Sequence, residues 1–334
     1  MTVRLYGPAC LIAALAAARG YRSHSLSKSG AAAAALLGYS ALANPLSVFG
    51  VCLLGFYLAG SRATKVKAAV KATYEEPEFS AAQPGAAHDL RRCPASPIAV
   101  VKAGGNRSAT QVACNAWLGT ACAVAWRVLY SGEKGIRAGW TAEGEWCVLD
   151  ARKVRGAEGT SRVLVITAVA FWAACCGDTL GILSSRPPIL ITTLRSCPRG
   201  TNGGVSAWGT FVSVLGGLFV GVLAVASLAL QGQASACAQV GAGRYGWAAE
   251  LVVLGGLSGF CGSLFDSLLG GLFQPTYFSK TRSLVVHSPM PSPTYPDEEI
   301  VRVRGSGWDV LSNNAVNVLS TLLTAGCAAW YASQ

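Results

Sequence analysis

The stretch AWGTFVSVLGGLFVGVLAVASLAL runs from residue 207 to residue 230 without one charged side chain. A helix needs about 20 apolar residues to cross the hydrocarbon of a bilayer, so this stretch reads as a transmembrane helix. Within it Gly209, Ser213, Gly217 and Gly221 recur every four residues, a spacing that lets two membrane helices meet backbone to backbone. Directly before it stands Gly200-Thr201-Asn202-Gly203-Gly204-Val205-Ser206, and the preceding apolar run closes on Asp178. Glycine leaves amide N–H groups open to close approach, so such a loop ahead of a helix can cradle phosphate; a flexible turn between two helices is the plainer alternative.

Further apolar stretches lie at 5–18, 31–44, 45–60, 110–126, 163–177, 247–272 and 314–333. In a chain of 334 residues with 52% apolar and only 13% charged residues, they point to an integral membrane protein. The expected fold is all-α, a polytopic membrane helix bundle forming a single integral membrane domain over 1–334. The runs amount to about eight transmembrane helices, within a range of roughly six to nine, because several are short for a span. The pair on either side of Asn44-Pro45 counts as two spans, with one broken, re-entrant segment as the alternative. Arg4 ahead of the first run imitates a signal peptide, but the next run follows too closely for a secreted domain to begin there.

Assigning loops alternately to two sides separates the charges. One side takes 19–30, 60–109, 178–206 and 273–312 and holds 18 of the 27 Lys and Arg residues. The positive-inside rule makes that side cytoplasmic, so the net charge of +11 reads as topology and lipid head-group contact, with no nucleic-acid partner expected. The twelve cysteines show no C-x-x-C pair and mostly sit inside apolar runs, as small buried hydrophobes of a reduced compartment would. The first run starts too near Met1 for a transit peptide, which leaves the endoplasmic reticulum or another endomembrane as the expected location.

Polar residues cluster at the cytoplasmic ends of the runs. Lys65 and Lys67 belong to a basic stretch, Arg62 to Lys71, that meets head-group phosphate or simply flanks a span. Arg107, Gln111 and Asn115 fall at i, i+4 and i+8, one face of a fourth helix read from its mouth inward. Exposing amides to lipid is costly, so that face serves either a cavity or a neighbouring helix. Asp178 abuts one apolar run, and Asp266 stands inside another on a stripe with Gly255, Gly259, Gly262 and Gly270. Intramembrane carboxylates need partners, and beside a phosphate loop the natural partner is Mg²⁺. Asn313, Asn314 and Asn317 open the last run, followed at helical spacing by Thr321 and Thr324. His24, His88 and His287 have no paired nucleophile nearby, so a hydrolase triad is not supported.

The chain resembles the transmembrane protein 19 family, whose plant members are phytyl-phosphate kinases. The resemblance rests on Ser61 to Lys71, Arg107 to Asn115, Gly177-Asp178-Thr179, Leu190 to Thr193, Gly200 to Gly209, Gly255 to Gln274 and Asn313 to Asn317. It implies a membrane kinase that turns phytyl or polyprenyl phosphate into the diphosphate with a nucleoside triphosphate, CTP or ATP. It further implies that Asp178 and Asp266 hold Mg²⁺, that Gly200, Thr201, Asn202, Gly203 and Gly204 cradle the donor phosphates, and that Lys65, Lys67 and Arg107 neutralise the acceptor phosphate. The lipid tail is expected along the glycine-lined helices. Gln111, Asn115, Asn313, Asn314 and Asn317 complete the expected binding set. The chain departs from the family pattern after Thr179, where Leu180-Gly181-Ile182-Leu183 replaces a segment with a Trp and a glutamate, and at Arg195-Ser196, where an acidic residue and a lysine are common. A non-catalytic transporter or lipid-binding protein is the competing class, and it would need access from both sides of the membrane.

Overall fold

A segment hydrophobic on every side has no face to show to water and tends to be enclosed by other segments. Residues 160–180 are the clearest case here, and they become the hub of the bundle. The computed structural model describes residues 6–71, 106–130, 147–150, 153–154, 157–158, 160–180, 187–238, 243–286, 288–291 and 295–334, with side chains described outside 64–71, 153–154 and 157–158. The helices are α1 (Gly7–Arg22), α2 (Lys28–Leu42), α3 (Val48–Lys71), α4 (Ala109–Cys114), α5 (Trp117–Tyr130), α6 (Thr160–Leu180), α7 (Ala207–Leu230), α8 (Gln233–Cys237), α9 (Gly246–Phe273) and α10 (Asn313–Ala332). Among the described residues α6, α7, α9 and α10 are long and apolar enough to cross a membrane, and the apolar part of α3, Val48–Ala63, is shorter.

Helix α6 buries Val165 through Gly177 without a break. Around it pack α3, α5, α7, α9 and α10. Outward, α7 exposes Phe211, Leu215, Phe219 and Val222, an apolar face suited to lipid. Its other face meets α9 through glycines: a Cβ added at Gly217 would stand 2.1 Å from the Gly255 carbonyl oxygen, and one at Gly259 would stand 2.4 Å from that of Ser213. The four-residue spacing therefore serves a helix–helix seam, and the backbones fill it. No lipid tail fits along these glycines, which corrects the expected course of the tail.

Two further expectations are corrected. Arg107 to Asn115 is not one continuous helix: Arg107 precedes α4, and the chain breaks at Asn115 and Ala116 before α5 begins. Ser108 caps α4, with Gln111 reaching back to the Ser108 amide at 3.0 Å, and this capping box fixes where the helix starts. The cysteines are not all free, because Cys147 and Cys237 form a disulfide across 90 residues. Sequence reading missed it because the two partners lie in separate segments of the chain with no motif spacing.

The bundle has two distinct ends. At one, Asn44 donates to the Ala123 carbonyl at 2.6 Å, Gln231 bonds the Ser47 amide and the Pro45 carbonyl, and the buried Gln233 accepts from the Val148 amide beside the disulfide. There α2 and α3 are separate helices joined by a turn at 43–47. At the other end the α1–α2 loop meets residue 107, with Ser27 N donating to the Arg107 carbonyl at 3.0 Å. Two small antiparallel sheets, unexpected from sequence, form in the loops that follow α6 and α9. One orders β4 (Arg195–Ser196), β3 (Ile189–Leu190) and β5 (Gly204–Val205); the other orders β7 (Leu284–Val286), β6 (Tyr277–Ser279) and β8 (Ile300–Arg302). A two-residue pair, β1 (Lys153–Val154) and β2 (Ala157–Glu158), precedes α6.

Candidate functional site

Glycines position the acidic residues. Gly177 has no room for a side chain, since a Cβ there would meet the Gly259 carbonyl oxygen at 2.6 Å, and Gly262 is pressed in the same way on Ala174 at 2.6 Å. Asp178 follows Gly177 directly, and Asp266 lies one helical turn after Gly262. The two carboxylates thus emerge from one close crossing of α6 and α9, at the bundle end away from the disulfide.

Asp266 is met by α10. With its amide nitrogen turned toward the carboxylate, Asn317 lies 3.1 Å from Asp266 Oδ1 and 3.2 Å from the Asn313 carbonyl. Ser312 caps the start of α10, and Thr321 donates to the Asn317 carbonyl at 2.7 Å. Asn313 is exposed and Asn314 half-buried at the helix mouth.

The Gly-rich loop sits on the C-terminal end of the same α9. Gly203 adopts φ +82°, a left-handed conformation, and a Cβ on it would come within 2.5 Å of Gly271 Cα. Asn202 is spent on the chain that follows α9: its amide N–H donates to Thr276 Oγ1 and its side chain to the Pro275 carbonyl, both at 3.0 Å. Thr201 is buried and donates to the Pro198 carbonyl at 2.7 Å. Gly200 takes φ +84°, and Gly204 N returns to Thr201 at 2.9 Å. The loop is a closed, fixed turn, its Asn and Thr side chains committed to holding it against α9.

Arg107 approaches from the opposite flank. Its guanidinium donates to the Gly60 carbonyl at 3.4 Å, and a Cβ on Gly60 would lie 3.8 Å from both Arg107 Nη2 and the Thr179 methyl. Arg107 is therefore a neighbour of the residue after Asp178. Burial pushes its guanidinium pKa down from the usual value, and it remains a cation. Asn115 is close as well, its carbonyl accepting from Cys175 Sγ. Lys65 and Lys67 lie on the final turns of α3, beyond Gly60, with side chains outside the described residues, as are His88, His287 and the departure at 181–183.

Arg107, Gln111 and Asn115 also line one pocket. Its remaining walls are mostly apolar, from Ala13 and Ala17 of α1, Ala34 and Gly38 of α2 and Leu53 and Phe56 of α3, and it is partly open to its surroundings. The expected polar face thus addresses a cavity although no single helix carries it. The sequence offered no sign of Gly60, Thr276 or this pocket: an isolated glycine, a threonine after a proline and small residues on two helices facing the larger ones of a third mean nothing until they are brought together.

Among the described residues no three His, Cys, Asp or Glu side chains gather to hold a metal. Carboxylates such as Asp178 and Asp266 are the hard oxygen ligands that Mg²⁺ would take as an ion arriving on nucleotide phosphates with several waters retained.

Comparison with known proteins settles the family. The family model described as integral membrane protein DUF92 matches residues 11–325. The chain belongs to the DUF92 family. Protein PGR of Arabidopsis thaliana, a member of the same transmembrane protein 19/DUF92 family, is 31% identical over 327 residues, covering 95% of this chain and 92% of that protein. The uncharacterized membrane protein MJ0933 of Methanocaldococcus jannaschii is 34% identical over 106 residues, 30% of this chain and 37% of its own. No solved structure matches. This DUF92 protein is an integral membrane protein.

Proposed function

We propose that this DUF92 protein is a prenyl-phosphate kinase that transfers the terminal phosphoryl group of CTP or ATP to phytyl or polyprenyl phosphate, as a multi-pass protein of about eight spans in an endomembrane. What carries the reading is that two carboxylates, a glycine turn and a half-buried arginine lie toward one bundle end, beside a pocket that is mostly apolar. Phosphoryl transfer asks little covalent chemistry of a protein and relies on positioning and charge neutralisation, which is what such a set can provide.

In this reading Asp178 and Asp266 would hold Mg²⁺, which when bound would neutralise charge on the transferring group. Arg107 draws the acceptor phosphate toward Asp178, with Lys65 and Lys67 on the same flank. The glycine turn fixes the floor, where Gly203 lets the backbone approach α9. Asn317 orients the Asp266 carboxylate. Asn313 and Asn314 at the mouth, together with Gln111 and Asn115, frame the entrance.

The test is incubation of purified protein with labelled CTP or ATP, Mg²⁺ and phytyl or geranylgeranyl phosphate. Diphosphate formation by the wild type, lost in Asp178→Asn and Asp266→Asn, is expected. Absence of product with every prenyl phosphate, or full activity in both variants, sinks the reading.

A further inference from the structure

The pocket walled by α1, α2, α3 and α4 is of a kind that a seam between membrane helices does not need. Small side chains, Ala13, Ala17, Ala34 and Gly38, create it, and where the seam of α7 and α9 is filled by backbone, this space stays open. Its polarity is graded. Arg107 is the one charged residue among its lining, and Gln111 and Asn115 stand near it; Leu42, Gly50 and Leu53 lie toward the opposite end of the bundle. Between Ala34 and Leu42 an α-helix rises roughly 12 Å, which sets the depth over which the walls are apolar.

We infer that this pocket is the seat of a single-chain isoprenoid phosphate, with the chain lying between α1, α2 and α3 and the phosphate at Arg107. The inference rests on the kinase reading for its choice of ligand, and it moves the acceptor tail away from the glycine seam. Charge complementarity fixes the direction: an anionic head belongs at the arginine, and Arg107 is tied to Gly60, next to Thr179 and so to Asp178. The phosphate would then sit on the acidic side of the bundle while the chain points away from it.

Gly38 gives a direct test. A Cβ there meets only Ala13 Cβ, at 3.7 Å, so a methyl is tolerated and a longer side chain grows into the deep half of the pocket. Full-length protein in phosphatidylcholine nanodiscs, without nucleotide, is titrated with photoreactive geranylgeranyl phosphate and with its shorter geranyl analogue. The wild type is expected to bind the long chain saturably and crosslink from α2 and α3. Gly38→Leu should lose at least tenfold in affinity for geranylgeranyl phosphate and retain geranyl phosphate, a retention that also reports intact folding. Arg107→Gln should weaken both phosphates yet leave binding of the corresponding alcohol unchanged, with Arg107→Lys restoring much of the difference. Equal loss of both chain lengths in Gly38→Leu, crosslinks confined to α7 and α9, or equal competition by phosphatidic acid overturns the assignment. Binding without turnover would defeat the kinase reading alone, while turnover indifferent to Gly38→Leu would defeat this one alone.

Discussion

Asn317 on α10 and Asp266 on α9 meet side chain to side chain, the amide nitrogen 3.1 Å from Oδ1. A hydrogen bond to a charged acceptor contributes roughly 1.5–3 kcal/mol, and this one also fixes which way the carboxylate faces. Asn317→Ala is therefore expected to lower phosphoryl transfer by about tenfold or more with modest loss of stability, and Asp266→Asn to abolish it. Activity assays paired with thermal melts in detergent check this. An Asn317→Ala variant as active as the wild type would show that the pair does not serve the site.

The glycine seam makes a prediction about folding alone. Gly217→Ala drives a methyl to 2.1 Å from the Gly255 carbonyl oxygen, so the helices must separate; overpacking of this kind costs about 1–3 kcal/mol or more. Gly326 on α10 faces open space, and Gly326→Ala should leave stability unchanged or slightly raised. Comparing the two melting temperatures isolates the steric effect from helix propensity.

Gly203 is expected to be intolerant for two separate reasons. Its φ of +82° disfavours any side chain, and a Cβ would also strike Gly271. Gly203→Ala should detach the loop from α9, read as faster proteolysis at 187–206 and loss of nucleotide-dependent activity. Gly243→Ala shares a positive φ of +81° but meets nothing, so it should show only the smaller backbone strain.

The Cys147–Cys237 bridge should form in the native membrane and place its end of the bundle on an oxidising side. Closing a loop of this size stabilises by about 2–4 kcal/mol in typical cases, so the Cys147→Ser and Cys237→Ser variants should melt lower and to the same extent. Non-reducing electrophoresis after blocking of free thiols reads the bond directly. A fully reduced pair in freshly isolated membranes would reverse the orientation.

Outside the bundle, Arg282 grips Glu298 at two points, one of them 2.9 Å from Nη2 to Oε2, and its guanidinium stacks over Tyr295. The Arg282 hydrogen bond holds the Glu298 carboxyl below its ordinary value of 4.5. Ionised Glu298 thus stabilises the β6–β8 sheet above that pH, and the contribution fades as the pH falls below it. Acid titration followed by limited proteolysis of 274–312 should show loosening in that range, and Glu298→Gln should loosen the sheet at neutral pH and remove the dependence.

The sequence by itself marked an integral membrane protein, placed its longest apolar helices and showed which residues are out of place in them. An uncharged run such as 207–230 has no other stable home than a bilayer or a buried bundle, and Asp266 inside one must find a partner. The four-residue glycine spacing likewise announced a close seam. Composition could not say what would occupy that seam: backbone carbonyls of the facing helix do, and the open space lies instead in a pocket between α1, α2 and α3. The same holds for the disulfide, the strands of the mouth and the pairing of Asn317 with Asp266. Each joins residues far apart in the chain, and local pattern records what a residue needs, whereas only packing in three dimensions chooses which neighbour meets the need.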